Sequence, residues 1–234
     1  GVRVFLPRIP DLKKVKINKR AINHMIDAYN SIEKRDDVDE KKIIGIGMSF
    51  AGSLWIRACI NSKIKNRPAG VISYGSFFDF NDTVKFIMTG ECFDGEKKYT
   101  LKPDLWGRIV FLYNFFDHYN YLGDSKKIKL FLKDKVLNEG KKSSIILKSL
   151  KLKDKIFIDK VFSNDKKFLL SISGEIMENI ESKLNFISPN NFIDKIDFPI
   201  SLIHGINDNM IPFTETIKFD KVLKEKKNKV NTFI

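Results

Sequence analysis

The chain has 234 residues, of which 42 are basic and 29 are acidic, giving a formal net charge of +13. This length allows one large α/β domain, or a core domain with a cap, and such a chain buries enough surface to fold without disulfides. No apolar run in the sequence is long enough to span a bilayer, so we expect no stable membrane insertion.

The excess of positive charge raises the question of a nucleic-acid partner. Its pattern argues against one, because lysine supplies 35 of the 42 basic residues, whereas arginine is the residue expected to contact bases. Between residues 125 and 167 the lysines are also interspersed with acidic residues: Asp134, Glu139, Asp154, Asp159 and Asp165. We therefore predict no nucleic-acid partner and keep a basic nucleic-acid-binding protein as the weakest of three functional interpretations.

The two cysteines are too few for a disulfide framework. Cys59 falls on a predicted helix and Cys92 in a predicted loop, which favours two reduced thiols and a reducing compartment. We predict a cytoplasmic protein on this basis. The sequence predicts no particular oligomeric state.

Two elements are predicted at the start of the chain. The apolar, β-rich run Val2–Leu6, which ends before Pro7, predicts a buried strand. A helix is predicted from Asn18, a suitable N-cap, because apolar residues then recur at helical spacing. These residues are Ala21, Ile22, Met25, Ile26, Tyr29 and Ile32.

Residues 41–57 predict a strand, a tight turn and a helix in immediate succession. The β-branched residues Ile43, Ile44 and Ile46 are typical of a parallel strand that is covered on both faces. Ser49 follows at the turn, with small residues two positions away on either side, as a strained turn and a close helix require. The alternative is that Ser49 simply caps the helix, since serine is a favoured N-cap.

A third strand is predicted at Val71–Tyr74, with Gly75 ending it. Alternation of strands and helices up to this point predicts a parallel, doubly wound sheet. Residues 78–189 then contain no further strand of that kind and are predicted to form several helices, at 82–88, 104–119, 126–137 and 174–184. An insertion of this length between two strands indicates a second layer or subdomain.

Residues 199–212 form the second informative stretch. A β-branched strand ends at His204-Gly205, a loop then presents Asp208, and a helix is predicted from Phe213 to Leu223. Asp208 could instead be a turn residue that caps this helix. We expect His204 to be structural, because it ends a strand and precedes Asp208.

Both stretches resemble motifs of the α/β-hydrolases. Gly47-Met48-Ser49-Phe50-Ala51 resembles their nucleophile elbow, with alanine in place of the last glycine, and residues 204–212 resemble their acid-bearing loop. The resemblance implies an α/β fold with a partial, doubly wound, mostly parallel sheet and an inserted helical cap. Residues 1–77 and 190–234 would form the core, incomplete at both ends, and residues 78–189 the cap.

The resemblance also implies roles for individual residues. Ser49 would be the nucleophile and Asp208 the acid of a catalytic triad, while the Phe50 amide would supply one oxyanion donor. No histidine follows Asp208, and Val230–Ile234 is expected to begin the strand before the missing histidine. A second oxyanion donor would precede Val2, so we expect the chain to be a fragment. No metal or organic cofactor is implied.

A substrate pocket is predicted above the serine. The ends of the segment 78–189 should meet at the carboxyl edge of the strands, where Ser49 and Asp208 also lie, so its helices should overhang Ser49. We predict that substrate contacts come from Met48, Trp106, Phe115 and Phe116.

The leading interpretation is a serine hydrolase that acts on a carboxylic ester or related small acyl substrate through an acyl-enzyme on Ser49. The alternative is a non-catalytic relative that binds an apolar ligand or a partner.

Overall fold

A computed structural model describes residues 1–234. Its strands are β1 (Ile44–Met48), β2 (Gly70–Tyr74), β3 (Glu91–Asp94), β4 (Lys97–Thr100), β5 (Ile200–Ile203) and β6 (Val230–Phe233). Its α-helices are α1 (Pro10–Lys13), α2 (Lys19–Glu33), α3 (Phe50–Cys59), α4 (Phe80–Thr89), α5 (Leu105–Phe115), α6 (Ser125–Leu137), α7 (Ser143–Lys148), α8 (Leu152–Phe162), α9 (Lys166–Leu184) and α10 (Thr214–Glu225). Three 3-10 helices lie at Glu40–Lys42, Phe116–His118 and Pro189–Lys195.

The chain divides into two compact units. Unit 1 comprises residues 1–80, 94–96 and 184–234, and unit 2 comprises residues 81–93 and 97–183. The sequence predicts a core of residues 1–77 and 190–234 and an inserted segment of residues 78–189. Assignment of these ranges to a hydrolase core and a cap stays a prediction.

Unit 1 is built on a parallel sheet of four strands in the order β1-β2-β5-β6. Ile46 pairs with Ile72, Ile72 with Ser201, and Ser201 with Asn231, so the strands run side by side without an offset. The predicted strands at Val71–Tyr74, before His204 and from Val230 are confirmed. The predicted helix after Asn18 is also confirmed, and the Asn18 side chain accepts a hydrogen bond from the Ala21 amide at 2.9 Å.

One face of this sheet is covered by helices. Helix α3 packs on β1 and β2, α2 packs on α3, and α10 packs on β5 and β6. The β1 glycines face α3, because a Cβ at Gly45 would meet the Trp55 ring. At the other end of the sheet Thr232 donates a hydrogen bond to Asp220 on α10 at 2.6 Å. The buried side chains of β2 and β5 alternate onto this same face.

The opposite face of the sheet is open, and this corrects one expectation. We define the open face as the half-exposed or exposed side chains that alternate away from α3: Ile44, Ile46, Met48, Ile72, Tyr74, Ser201, Ile203, Asn231 and Phe233. Ile44 and Ile46 were expected to be covered on both faces but are 59% and 66% exposed. Strand β1 is also an edge strand, so it lacks a neighbour on one side as well as a layer on one face.

The predicted strand Val2–Leu6 is wrong. The first nine residues form neither helix nor strand, and the side chains of Val2 and Leu6 are 94% and 87% exposed. Its composition suits a strand, but strand formation requires a partner that supplies hydrogen bonds and burial. Arg3 contacts Asp37, which follows α2 in the chain.

Unit 2 is mainly helical, as the sequence predicts. It differs in containing most of a short hairpin, β3–β4. The turn of this hairpin, at residues 94–96, is grouped with unit 1 and includes Gly95 at a φ of +57°. Cys92, which was expected in a loop, lies on β3 and is buried. Helices α7 and α8 were not predicted. The buried Arg108 guanidinium donates to the carbonyl oxygens of Ile87 at 2.9 Å and Ser163 at 2.7 Å, which ties three segments of this unit together.

None of the helices in either unit combines the length and the hydrophobicity that crossing a bilayer requires.

Candidate active site

Ser49 occupies a strained turn between β1 and α3. Its backbone angles are φ 54° and ψ −144°, a conformation that residues with a Cβ rarely adopt. The Ser49 amide donates to the Tyr74 carbonyl oxygen at 2.8 Å, and its own carbonyl oxygen accepts from the Gly52 amide at 2.9 Å. These two bonds fix the turn at the carboxyl end of β1.

The Ser49 hydroxyl does not cap α3. The residue stands at the N-cap position, but its side chain makes no capping hydrogen bond and is exposed. The alternative that Ser49 serves as an ordinary side-chain cap is therefore wrong. A hydroxyl that neither caps the helix nor packs in the core is left accessible at the end of the strand.

Glycines allow the helix to approach the strand behind Ser49. A Cβ at Gly47 would lie 2.5 Å from the Gly52 Cα, and a Cβ at Gly52 would lie 3.0 Å from the Gly47 carbonyl oxygen and would clash with the Ser76 hydroxyl. The close approach that the sequence predicts is confirmed at Gly47. Its partner is Gly52, which sequence reasoning did not single out.

The Phe50 amide is the first of α3. Amides in the first turn of a helix have no intrahelical acceptor, and the helix dipole places partial positive charge there. This amide adjoins the Ser49 side chain in the chain and can serve as a donor to a negatively charged oxygen formed beside it.

Asp208 is held by the loop that follows β5. Its Oδ1 accepts hydrogen bonds from the backbone amides of Met210 at 2.8 Å and Ile211 at 3.0 Å. Both donors precede α10, which begins at Thr214, so the alternative that Asp208 caps this helix is wrong. The carboxylate instead folds its own loop.

The environment of Asp208 favours its charged form. Burial acts to raise the pKa of this carboxyl, but the contact with His204 and the hydrogen bonds from the Ile211 and Met210 amides outweigh burial and lower the pKa below its ordinary value. Asp208 is therefore a carboxylate at neutral pH.

His204 lies beneath Asp208 and is 3% exposed. Its Nε2 is 2.9 Å from the Ile211 carbonyl oxygen and 3.5 Å from Asp208 Oδ2, while its Nδ1 is 2.7 Å from the Thr216 hydroxyl. The nearer oxygen, that of Ile211, accepts the hydrogen bond from the Nε2–H group. Both ring nitrogens thus have partners within the loop.

Ser49 and Asp208 lie at the same edge of the sheet. Ser49 follows β1 and Asp208 follows β5, with β2 between them. The end of β2 touches both positions, because the Tyr74 carbonyl accepts from Ser49 and a Cβ at Gly75 would lie 3.1 Å from Asp208 Oδ2. Gly75 has a φ of +57°, as a residue that turns the chain there requires.

The four predicted substrate contacts are distributed over both units. Met48 is exposed and belongs to the open face. Trp106 lies on α5 in unit 2 and is partly exposed. Phe115 and Phe116 are buried within unit 2, where the Phe116 ring packs on Tyr119, Tyr121 and Phe157. A contact between any of these residues and a substrate stays a prediction.

Sequence reasoning missed Glu215, which shapes the loop after β2. This residue lies on α10 and is fully buried, and its Oε2 accepts from the amides of Phe78 at 3.1 Å and Asp79 at 2.7 Å. The only available signal was an acidic residue in the first turn of a helix, which usually indicates a favourable interaction with the helix dipole. No three histidine, cysteine or acidic side chains among residues 1–234 converge as a metal site would require.

Comparison with solved structures shows which fold this chain shares. A Legionella pneumophila protein described as a putative hydrolase superposes on the chain with a TM-score of 0.51 at 12% sequence identity, covering 92% of this chain and 55% of the other. The fold is that of the α/β-hydrolases. In this fold, the strand ends that carry Ser49 and Asp208 occupy one edge of the parallel sheet.

Two further solved structures resemble the chain more loosely. An acylaminoacyl peptidase from Pyrococcus horikoshii has a TM-score of 0.41 at 13% identity, covering 97% of this chain and 24% of that one. The rice cell wall degrading esterase LipA from Xanthomonas oryzae has a TM-score of 0.43 at 13% identity, covering 91% and 54%. The chain thus spans between about a quarter and a little over half of these proteins. No protein-family model and no curated protein sequence matches it.

Proposed function

We propose that the chain is part of a serine hydrolase that cleaves a carboxylic ester or a related acyl compound through an acyl-enzyme on Ser49. The observation that carries this proposal is the backbone of Ser49, which is held in a strained conformation while its hydroxyl neither caps α3 nor packs in the core. Strain of this kind persists only where the surrounding structure enforces it, and it clusters at functional sites.

In the proposed reaction the Ser49 hydroxyl oxygen attacks the acyl carbonyl carbon while a histidine takes its proton. The negative charge that develops on the carbonyl oxygen is stabilised by the Phe50 amide at the start of α3. The attack forms a tetrahedral intermediate. Its collapse breaks the bond to the leaving alcohol, which receives the proton from the histidine. Water then releases the acyl group by the same steps in reverse.

The histidine of this mechanism is proposed to come from outside residues 1–234. His204 is buried with both nitrogens engaged, and its Nε2 proton is donated to a backbone carbonyl. Asp208 is proposed to accept a hydrogen bond from the catalytic histidine through Oδ2, since Oδ1 already accepts two backbone amides. Its lowered pKa keeps the carboxylate charged as the histidine becomes positive.

Covalent labelling of the intact protein tests the proposal. A fluorophosphonate probe should label the wild-type protein, and peptide mapping should place the label on Ser49. The Ser49→Ala variant should lose labelling, whereas Ser62→Ala, which removes an exposed hydroxyl elsewhere in unit 1, should keep it. Undiminished labelling of Ser49→Ala would refute the role of this serine. A wild-type protein that is never labelled would favour the non-catalytic alternative.

Replacement of Asp208 by asparagine tests the acid separately. Asparagine retains a side-chain oxygen that can accept from the Met210 and Ile211 amides, so the loop should keep its shape while the charge is lost. We expect kcat for a p-nitrophenyl ester to fall by about 10⁴-fold, as for loss of the acid in other triads. Circular dichroism of the variant should match the wild type. A variant with wild-type kcat would assign the acid to another residue.

Two further features are proposed. Residues 78–189 are proposed to form an inserted helical domain. A cytoplasmic location is proposed because Cys59 and Cys92 are both buried thiols.

A further inference from the structure

His204 connects the three parts of the loop that carries Asp208. It directly follows β5, its Nδ1 contacts Thr216 in the first turn of α10, and its Nε2 contacts the carbonyl oxygen of Ile211 between them. Both side-chain partners are buried, since His204 and Thr216 are each 3% exposed. The imidazole thus spans the base of the loop and joins its beginning, its middle and its end.

The partners determine where the proton of the neutral ring resides. A backbone carbonyl can only accept, so Nε2 carries the hydrogen. Nδ1 then has a lone pair, and the Thr216 hydroxyl donates to it. A hydroxyl and a carbonyl at these two positions therefore select one tautomer and one orientation of the ring.

Ile211 transmits this arrangement to Asp208. Its carbonyl accepts from His204 at 2.9 Å, and its amide donates to Asp208 Oδ1 at 3.0 Å. With Oδ1 held in this way, Oδ2 lies 3.5 Å from the ring and faces Gly75 at the end of β2. The ring is thus linked to Oδ1 through Ile211 and lies beside Oδ2.

We propose that His204 is a positioning residue for the acid, which fixes the Asp208 loop so that Oδ2 points toward the partner histidine at the Ser49 edge of the sheet. This inference rests on the proposed function and adds a residue to it. His204 does not touch the reacting atoms. It acts through Ile211 and Asp208, and the residue that completes its hydrogen bonds is Thr216.

Three variants of the intact protein test this role. His204→Leu fills the space but can neither donate to the Ile211 carbonyl nor accept from the Thr216 hydroxyl. We expect kcat for a p-nitrophenyl ester to fall about 10²-fold, the loss typical of an ångström of misplacement, with KM unchanged. His204→Gln should recover part of this loss, since an amide can donate to Ile211 and accept from Thr216. His24→Gln, which changes a histidine on α2, is the control and should leave kcat unchanged.

A readout without turnover separates this inference from the proposed function. Amide hydrogen exchange of Met210 and Ile211, followed by NMR in the intact protein, should quicken in His204→Leu and be partly restored in His204→Gln, because these amides report on the bonds to Asp208 Oδ1. Unchanged exchange in His204→Leu would overturn the inference even if Ser49 is labelled. Faster exchange in a protein that is never labelled would overturn the proposed function and leave the loop-fixing role of His204 in place.

Thr216→Val keeps the inference falsifiable if the leucine variant fails to fold. It removes only the hydroxyl that donates to Nδ1, so a smaller fall in kcat with unchanged KM is expected. Wild-type kcat in a folded Thr216→Val protein, or equal losses in His204→Leu and His204→Gln with a raised KM, would show that His204 is merely a packing residue.

Discussion

Ser49 adopts a backbone conformation that costs a residue with a Cβ about 1–3 kcal/mol. Glycine carries no such cost, although it loses about 0.5–1 kcal/mol through the greater freedom of the unfolded chain. The free energy of unfolding should therefore be higher for Ser49→Gly than for Ser49→Ala by on the order of 1 kcal/mol. Urea denaturation of the two variants measures this difference, and the alanine variant controls for loss of the hydroxyl. Equal stabilities would mean that the turn stores no strain.

Asp11, a buried carboxylate at the start of the chain, provides a test of pH dependence. It accepts from the Arg20 guanidinium at 2.6 and 2.9 Å, and this hydrogen bonding lowers the pKa of Asp11 to about 2. Because folding lowers the pKa, the charged form stabilises the native chain above pH 3.8, and this contribution is lost as the pH falls toward 2.

We expect Asp11→Asn to lower the free energy of unfolding at pH 7 by about 1 kcal/mol, a modest value because Arg20 is solvent-exposed. The difference from the wild type should shrink between about pH 4 and pH 2. Urea unfolding at several pH values measures it. Asp27→Asn, at an exposed aspartate on α2, is the control and should show no such dependence. A gap that widens on acidification would contradict the prediction.

At the scale of elements, the contact between β1 and α3 depends on two glycines that face each other. A methyl group at Gly47 would lie 2.5 Å from the Gly52 Cα, so Gly47→Ala must push the helix away from the strand. Overpacking of this kind typically lowers stability by about 1–3 kcal/mol. Gly174→Ala on α9 is the matched control, since nothing lies within 4 Å of the added methyl group and alanine favours a helix by up to about 1 kcal/mol. Thermal unfolding should shift down for the first variant and up for the second.

Elements with a strong local signal could be predicted from the sequence. Helix α2 begins where Asn18 supplies a cap, and β2 ends where Gly75 turns the chain. Features that depend on distant partners could not. The segment Val2–Leu6 has the composition of a strand but pairs with no other strand. Ile46 is a residue type common in protein cores, but its side chain is exposed. Both errors arise because pairing and burial require neighbours that a local pattern does not identify.

The candidate site was predictable to the same degree. Ser49 and Asp208 each lie in a short motif, and the parallel topology brings both to one edge of the sheet. The hydrogen bonds of Thr216 and Glu215 could not be anticipated, because their partners are distant in the sequence. Thr216 is 12 residues from His204, and Glu215 is 136 and 137 residues from the two amides that it accepts from in the loop after β2.

At the scale of the whole molecule, the two ends of the inserted segment return to the same place within unit 1. The Phe80 amide donates to the Ser188 hydroxyl at 3.0 Å, and the Asn190 amide donates to the Phe78 carbonyl oxygen at 3.2 Å. A short linker can therefore join Phe80 to Leu184 and delete the residues between them without stretching unit 1.

We expect Ser49 labelling to persist in this deletion, made in the intact protein. The physical reason is that the strand ends that hold Ser49 and Asp208 belong to unit 1 and stay in place. Fluorophosphonate labelling measures the effect, and the Ser49→Ala form of the deleted protein is the control. Loss of labelling in a folded deletion variant would contradict the prediction.

The open face of the sheet has a consequence for handling the protein. During refolding of residues 1–234, folding within one chain competes with association between chains, and only the rate of association rises with protein concentration. Ile44, Ile46 and Phe233 stay accessible in the folded chain, so association can continue after folding is complete. Dilution rather than time is therefore the variable that decides how much of this polypeptide stays dispersed.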